Sequence, residues 1–371
     1  MITITHFFKT FFPDTSGGLE EAIRQIAKVS INEGYKVQVV TLSNNPRDEY
    51  IDGIRVISFK TNISFSTMPI SFSLINNFKK VLDSTDIIHL HYPYPFMELL
   101  TLLSGTTKPI VLTFHGSIVG RKLLTTCYSP FLNALYRKVD YIVPTSEKLA
   151  RTSHELDNFW DKIVPINLWI DESRFTKLKG PSDEFKTKID RLGDFALYVG
   201  VLRHYKGIDT IIDASKSTNG NIVMIGKGPK LDEARQRIND EHITNLYPLG
   251  FQSDENLAYA LKKCTMVILP SCSRGECFGQ VLLEGSYFKK TLISTELGTG
   301  TSVANKDGIS GFVIDPNSPE QLAEKMNLLF DDLQLRDRMS HQSFDYLMNN
   351  FTAKIQGRKY IELYHKLANK K

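Results

Sequence analysis

Short β-branched runs alternate with amphipathic helical stretches along the whole of this 371-residue sequence. That rhythm narrows the choice of architecture. A strand, a helix and a second strand in succession form a βα unit, and repeated units build a parallel sheet with helices on both faces, an α/β fold. In the first half the predicted strands cover residues 2–8, 36–41, 54–59, 86–91, 109–114, 141–144 and 162–166. A helix is predicted over residues 19–32, where Leu19, Ile23, Ile26 and Val29 recur at helical spacing and Glu20 and Glu21 favour the first turn.

The rhythm breaks once. Residues 171–194 are charge-rich, poor in large apolar side chains and contain Gly180-Pro181, which marks a domain boundary. Strands are then predicted at residues 195–199, 221–225, 243–249, 266–269, 291–295 and 311–314. The chain therefore reads as two Rossmann-like open sheets, 1–170 and 171–350, with a cleft between them at the strands' carboxyl ends. After a loop predicted at residues 348–350, a last helix follows in the segment 351–371.

Composition excludes several classes. The formal net charge of +4 does not call for a nucleic-acid partner. Cys127, Cys264, Cys272 and Cys277 lack paired zinc-ligand spacing and suit a reducing cytoplasm. The opening MITITHFF reads as a buried strand and not as a signal peptide, and no apolar run is long enough to cross a membrane.

Three glycine-rich turns sit where a βα unit offers a ligand site. Gly17-Gly18 precedes the first helix; paired glycines allow close backbone approach, but this is equally the composition of a plain surface turn. After residues 195–199 come Arg203 and Lys206, a fork and a mobile point charge spaced to grip a diphosphate, ahead of Gly207. The third turn, Gly275 to Glu284, follows residues 266–269. A helix starting near Gly279 would offer its free N–H groups to phosphate, while Glu276 and Glu284 suit sugar hydroxyls. For Glu284 a solvent-facing helix position is the competing reading.

His89 and His91 alternate on one strand and share a face, with no third ligand spaced to complete a metal site. His115 ends a strand, a place that favours a cleft over a core role. Residues 120–138 carry Arg121, Lys122, Arg137 and Lys138 around Leu123, Leu124, Phe131, Leu132, Leu135 and Tyr136. They suit either an anionic interface or the cover of a sheet, and Pro130 predicts two short helices.

Taken together, these residues resemble the retaining glycosyltransferase family 4, whose members have the GT-B fold, over nearly the whole chain. The marks are Gly17-Gly18, His115, the Arg203/Lys206 region, and Glu276 with Glu284 in the family's E-x7-E arrangement. The resemblance implies that a nucleotide-diphosphate sugar binds the second domain and an acceptor binds the first. By position, Arg203 and Lys206 would take the diphosphate, Glu276 the sugar hydroxyls and Glu284 the ribose. Gly279, Gln280 and Val281 would offer backbone N–H groups, Phe251 would border the base, Gly17 and Gly18 would approach the phosphate, and His115 would contact the sugar. The last helix would return to the first domain.

One departure is plain: many members place arginine directly after the strand-end glycine, where Val201 stands here. The form V-L-R-x-Y-K-G is similar to bacterial polysaccharide and O-antigen mannosyltransferases, which implies GDP-mannose as donor. The implied reaction is metal-independent hexosyl transfer with retention, by a front-face route, to a lipid-linked or oligosaccharide acceptor. It would take place in the cytoplasm or on the inner face of the membrane, on an anionic surface, during lipopolysaccharide assembly. A UDP-sugar transferase, a GT-B epimerase and a non-catalytic sugar-binding module are the alternatives.

Overall fold

The computed structural model describes residues 1–369 except 16, 66, 67, 119, 121 and 177, and forms two compact domains, Met1–Leu168 with Ala353–Lys371, and Trp169–Thr352. The first domain is built on β1 (Thr3–Phe7), β2 (Lys36–Ser43), β3 (Arg47–Ile51) and β4 (Ile54–Lys60), followed by a small hairpin of β5 (Ile63–Phe65) and β6 (Met68–Ile70). β7 (Ile87–Tyr92), β8 (Ile110–Phe114) and β9 (Tyr141–Pro144) complete a seven-stranded sheet in the order β3-β4-β2-β1-β7-β8-β9. All its pairs are parallel except β3 with β4. Strands β7 and β8 are buried along their whole length, as a sheet covered on both faces requires.

The second domain holds β10 (Phe195–Val199), β11 (Asn221–Ile225), β12 (Leu246–Gly250), β13 (Met266–Leu269), β14 (Thr291–Thr295) and β15 (Gly311–Ile314). They form an all-parallel six-stranded sheet in the order β12-β11-β10-β13-β14-β15. In each sheet the order reverses at one place, between β1 and β7 and between β10 and β13. Loops leaving neighbouring strands there turn to opposite faces and open a crevice, the usual ligand site of such sheets.

Several expectations are corrected. Residues 162–166 are no strand: Trp160–Lys162 is a 3-10 turn, and the segment beyond it joins β9 by an isolated bridge, with the Val164 and Ile166 N–H groups donating to the Ile142 and Pro144 carbonyls at 2.9 and 3.0 Å. β3 adds an unforeseen edge strand, joined to β4 by Asp52 and Gly53 with φ of 51° and 80°, a tight hairpin turn. Residues 348–350 are not a loop, since the helix Leu333–Asn350 runs through them, anchored by buried Leu347. Pro130 does not split its segment: one helix spans Lys122–Lys138, and the Ser129 hydroxyl donates to the Thr126 carbonyl (3.0 Å) that Pro130 cannot serve. Leu132, Leu135 and Tyr136 are buried, so this helix covers the sheet and leaves Phe131 outside. Arg121 and the side chains of Lys122, Leu123 and Leu124 lie outside the described residues. Among the described residues no helix is long and apolar enough to cross a membrane.

The last helix, Arg358–Ala368, belongs to the first domain and buries Tyr360, Ile361, Leu363, Tyr364 and Leu367 there. That domain also buries Glu98, which accepts from the Tyr94 N–H (2.5 Å) and the Tyr128 hydroxyl. Burial outweighs these two bonds and raises its carboxyl to about 7. The folded state thus holds a proton that the unfolded chain releases near its ordinary carboxyl value. Stability is present below that value and falls as pH rises toward 7, by on the order of 3 kcal/mol. Glu98→Gln is expected to flatten this slope in urea denaturation at pH 5 and pH 7.5; an unchanged slope would remove Glu98 as its source.

Candidate active site

In the second domain the adjacency of β10 and β13 brings two distant loops together. Gly207 sits in the left-handed region at φ 74°, and a Cβ there would lie 1.8 Å from the Pro270 carbonyl oxygen. Only glycine permits so close a crossing. Next to it the Cys272 N–H donates to the Tyr205 carbonyl at 2.8 Å. This stitching places Lys206, on the 3-10 turn His204–Lys206, in an ion pair with Glu276.

Lys206 and Glu276, 70 positions apart, therefore form one unit. Ser271 Oγ donates to the same carboxylate oxygen at 3.0 Å, and Thr299 Oγ1 donates to the Glu276 carbonyl at 2.7 Å. Burial opposes the Lys206 charge, but the Glu276 carboxylate overrides it, and the ammonium titrates above its ordinary range. The pair presents a fixed cation and a carboxylate side by side. The cation suits phosphate, and the carboxylate keeps lone pairs for hydroxyls.

Beyond Glu276 the chain turns at Gly279 (φ 80°) into the helix Gln280–Tyr287. The first N–H groups of a helix have no partner within it, so those of Gln280 and Val281 begin an anion-binding end. Glu284 lies on this helix and is not solvent-facing. Arg174 Nη1 donates to it at 2.7 Å, while the same guanidinium holds Asp254 at 2.6 Å. Arg174 escaped sequence reasoning because it lies in the polar segment read as a boundary; no local pattern marks its partner 110 positions away.

Arg203 is exposed and its side chain has no bonding partner among the described residues. Val201, also exposed, leaves it room. Phe251, just beyond β12, is 67% exposed with the Lys227 ammonium 5.3 Å from its ring centre.

In the first domain Gly17 caps and Gly18 opens the helix Gly18–Asn32, where Thr10 and Thr15 hydroxyls donate to Glu20 at 2.9 and 2.7 Å. His115 is buried beyond β8, its Nε2 3.1 Å from His91 Nδ1. The third histidine that spacing did not reveal is His6. On β1 it pairs in register with His89, and its Nδ1 lies 2.9 Å from His91 Nε2.

Comparisons with known proteins assign the family. The family described as glycosyl transferases group 1 matches residues 181–345, and glycosyltransferase family 4 matches residues 16–174. The chain is 33% identical to O-antigen chain mannosyltransferase C of Escherichia coli over 99% of both chains. It is 31% identical to the D-rhamnosyltransferase WbpZ of Pseudomonas aeruginosa, over 94% of this chain and 92% of that one. Among solved structures, a glycosyltransferase from Rickettsia africae aligns with a TM-score of 0.75 at 21% identity, covering 99% of this chain and 98% of that one. Anabaena HepE in complex with UDP and glucose aligns at 0.78 and 16%, covering 98% and 100%. The chain belongs to glycosyltransferase family 4, and its two Rossmann-like domains are of the GT-B class.

Gly279 makes the turn into the helix Gln280–Tyr287, and a Cβ there would meet Leu269 Cδ2 at 2.6 Å in a backbone conformation that disfavours side chains. Gly279→Ala is expected to cost about 1–3 kcal/mol, read as a lowered denaturation midpoint. An unshifted midpoint would mean that the turn relaxes freely.

Proposed function

We propose that this enzyme transfers a hexose, with mannose from GDP-mannose as the leading donor, to a saccharide hydroxyl during O-antigen assembly, with retention of anomeric configuration. The observation that carries this reading is the Lys206–Glu276 pair beside the start of the Gly279 helix. Similarity to the Escherichia coli mannosyltransferase over 99% of the chain supports the donor and the pathway. The similarity to WbpZ favours a second reading, a D-rhamnosyl donor, because the two relatives are almost equally similar at 33% and 31% identity.

In this reading Lys206, Arg203 and the N–H groups of Gln280 and Val281 stabilise charge on the departing diphosphate. Glu276 holds donor-sugar hydroxyls and Glu284 the ribose, while Phe251 borders the base. The loose Arg203 closes on phosphate, and the paired Lys206 provides the fixed charge, which answers the missing arginine at Val201. Gly17, Gly18 and His115 contact the donor by the family resemblance. The acceptor proton passes to a donor phosphate oxygen on the front face, and side-chain cations take the place of a divalent ion. A saccharide acceptor carried on a lipid would bring the enzyme to the inner face of the membrane, where the half-exposed Phe131 of the helix Lys122–Lys138 would meet it.

Breaking a buried ion pair strands its partner and costs about 3–5 kcal/mol. Glu276→Gln and Lys206→Met are therefore expected to be less stable yet folded. Each should lose about 10²-fold in turnover, measured with folding confirmed by circular dichroism. Wild-type turnover in either would sink its role. Calorimetric titration should show GDP binding without metal and a weaker response to UDP. A preference for UDP would overturn GDP-mannose as the donor, and binding that depends on magnesium would overturn the metal-free route.

A further inference from the structure

The switch point of the first sheet carries a row of four imidazoles, of which the transfer reaction, as assigned above, uses only His115. His6 on β1 is in register with His89 on β7; His91 lies two residues further along β7, and His115 just past β8. The two-residue period of strands sends all four side chains to one face. His6 and His91 are 5.3 Å apart between ring centres and 21° from coplanar; His91 and His115 are 5.4 Å apart and 25° from coplanar. With nitrogen–nitrogen distances of 2.9 and 3.1 Å, these three rings form an edge-to-edge ribbon. His89 stacks on it 4.4 Å from His91, its nitrogens taken by the Tyr364 hydroxyl (2.6 Å) and Thr113 Oγ1 (2.7 Å).

Nitrogens of His6, His89 and His91 lie within 4.8 Å of one another, a spacing that a metal ion also tolerates. The geometry favours the ribbon. Rings stacked at 22° send their lone pairs side by side and not toward one point, and both His89 nitrogens already meet hydroxyls.

Burial holds His6 and His115 at about 3 and His91 well below its ordinary value, so all three are neutral. A neutral imidazole has one donor and one acceptor, so every bond in the ribbon must point the same way. The choice between the two directions is made at the His6 end, where Nε2 is buried without a partner among the described residues. Buried donors are left without a partner more rarely than buried acceptors. Nε2 of His6 is therefore the bare nitrogen. His6 Nδ1–H donates to His91 Nε2, His91 Nδ1–H donates to His115 Nε2, and the last proton falls on His115 Nδ1.

We infer that His6 and His91 are positioning residues that lock His115 in its Nδ1–H tautomer, so that it meets substrate as a hydrogen-bond donor and not as a base. The functional part of this inference rests on the placement of His115 at the donor in the proposed function; the tautomer itself does not.

The test is a measurement of side-chain 15N shifts on full-length protein labelled at its nine histidines, assigned through single substitutions. Protons on Nδ1 of His6, His91 and His115 are expected. A proton on His115 Nε2, or a stoichiometric metal bound by these rings in the purified protein, would overturn the inference. In turnover assays, His91→Phe removes the donor to His115 and is expected to lower kcat about tenfold with donor KM within about twofold. His91→Asn, whose amide N–H reaches the same place, should restore most of that loss; equal impairment in both variants would reduce His91 to a packing role and defeat the positioning claim. The predicted tautomer together with wild-type turnover in His115→Ala would instead defeat the placement of His115 at the donor and leave the ribbon standing.

Discussion

A parallel sheet covered on both faces has no water to offer the polar groups it carries, and the two sheets of this protein are organised around that shortage. Polar side chains on the strands must find partners on the same face, while those at strand ends collect where the strand order reverses. In the second domain the result is Lys206 held against Glu276, with Ser271 and Thr299 bonding the acid and its backbone. In the first domain it is the row of histidines tied to one another and to Thr113 and Tyr364, with Thr113 bonded in turn to Tyr360.

The two charge pairs of the candidate site bear on the proposed ligand binding. Lys206 and Glu284 are both engaged by protein partners, whereas Arg203 is exposed. In the proposed reading, a diphosphate arriving beside Lys206 would meet a cation already oriented by Glu276, with little ordering entropy left to lose there. In the proposed reading, ribose recognition by Glu284 would either share its carboxylate with Arg174 or displace that guanidinium. Preorganised and mobile charges thus occur together, a combination suited to holding a leaving group firmly while still admitting and releasing a nucleotide.

Much of the fold was legible in the sequence because βα units are local. Strands β9, β10, β11, β13, β14 and β15 have the bounds that their apolar runs predict. Errors fell where local signals conflict with tertiary support. Pro130 argued for a break, but packing of Leu132, Leu135 and Tyr136 holds one helix together. Asn349 and Asn350 argued for a loop, but Leu347 anchors the helix through them. The Asp52-Gly53 turn was a readable hairpin signal that was passed over.

For the candidate site, sequence by itself determined which loops carry chemistry. Arg203, Lys206, Glu276, Gly279 and His115 follow strands, and strand ends are where side chains and helix N-termini meet ligands. It could not determine who partners whom. The pairing of Lys206 with Glu276, of Glu284 with Arg174, and of His91 with His6 spans 70, 110 and 85 positions. Hydrophobic period encodes the local element and the face it buries. Strand order is decided by how whole elements pack, and only that order brings β10 beside β13 and β1 beside β7.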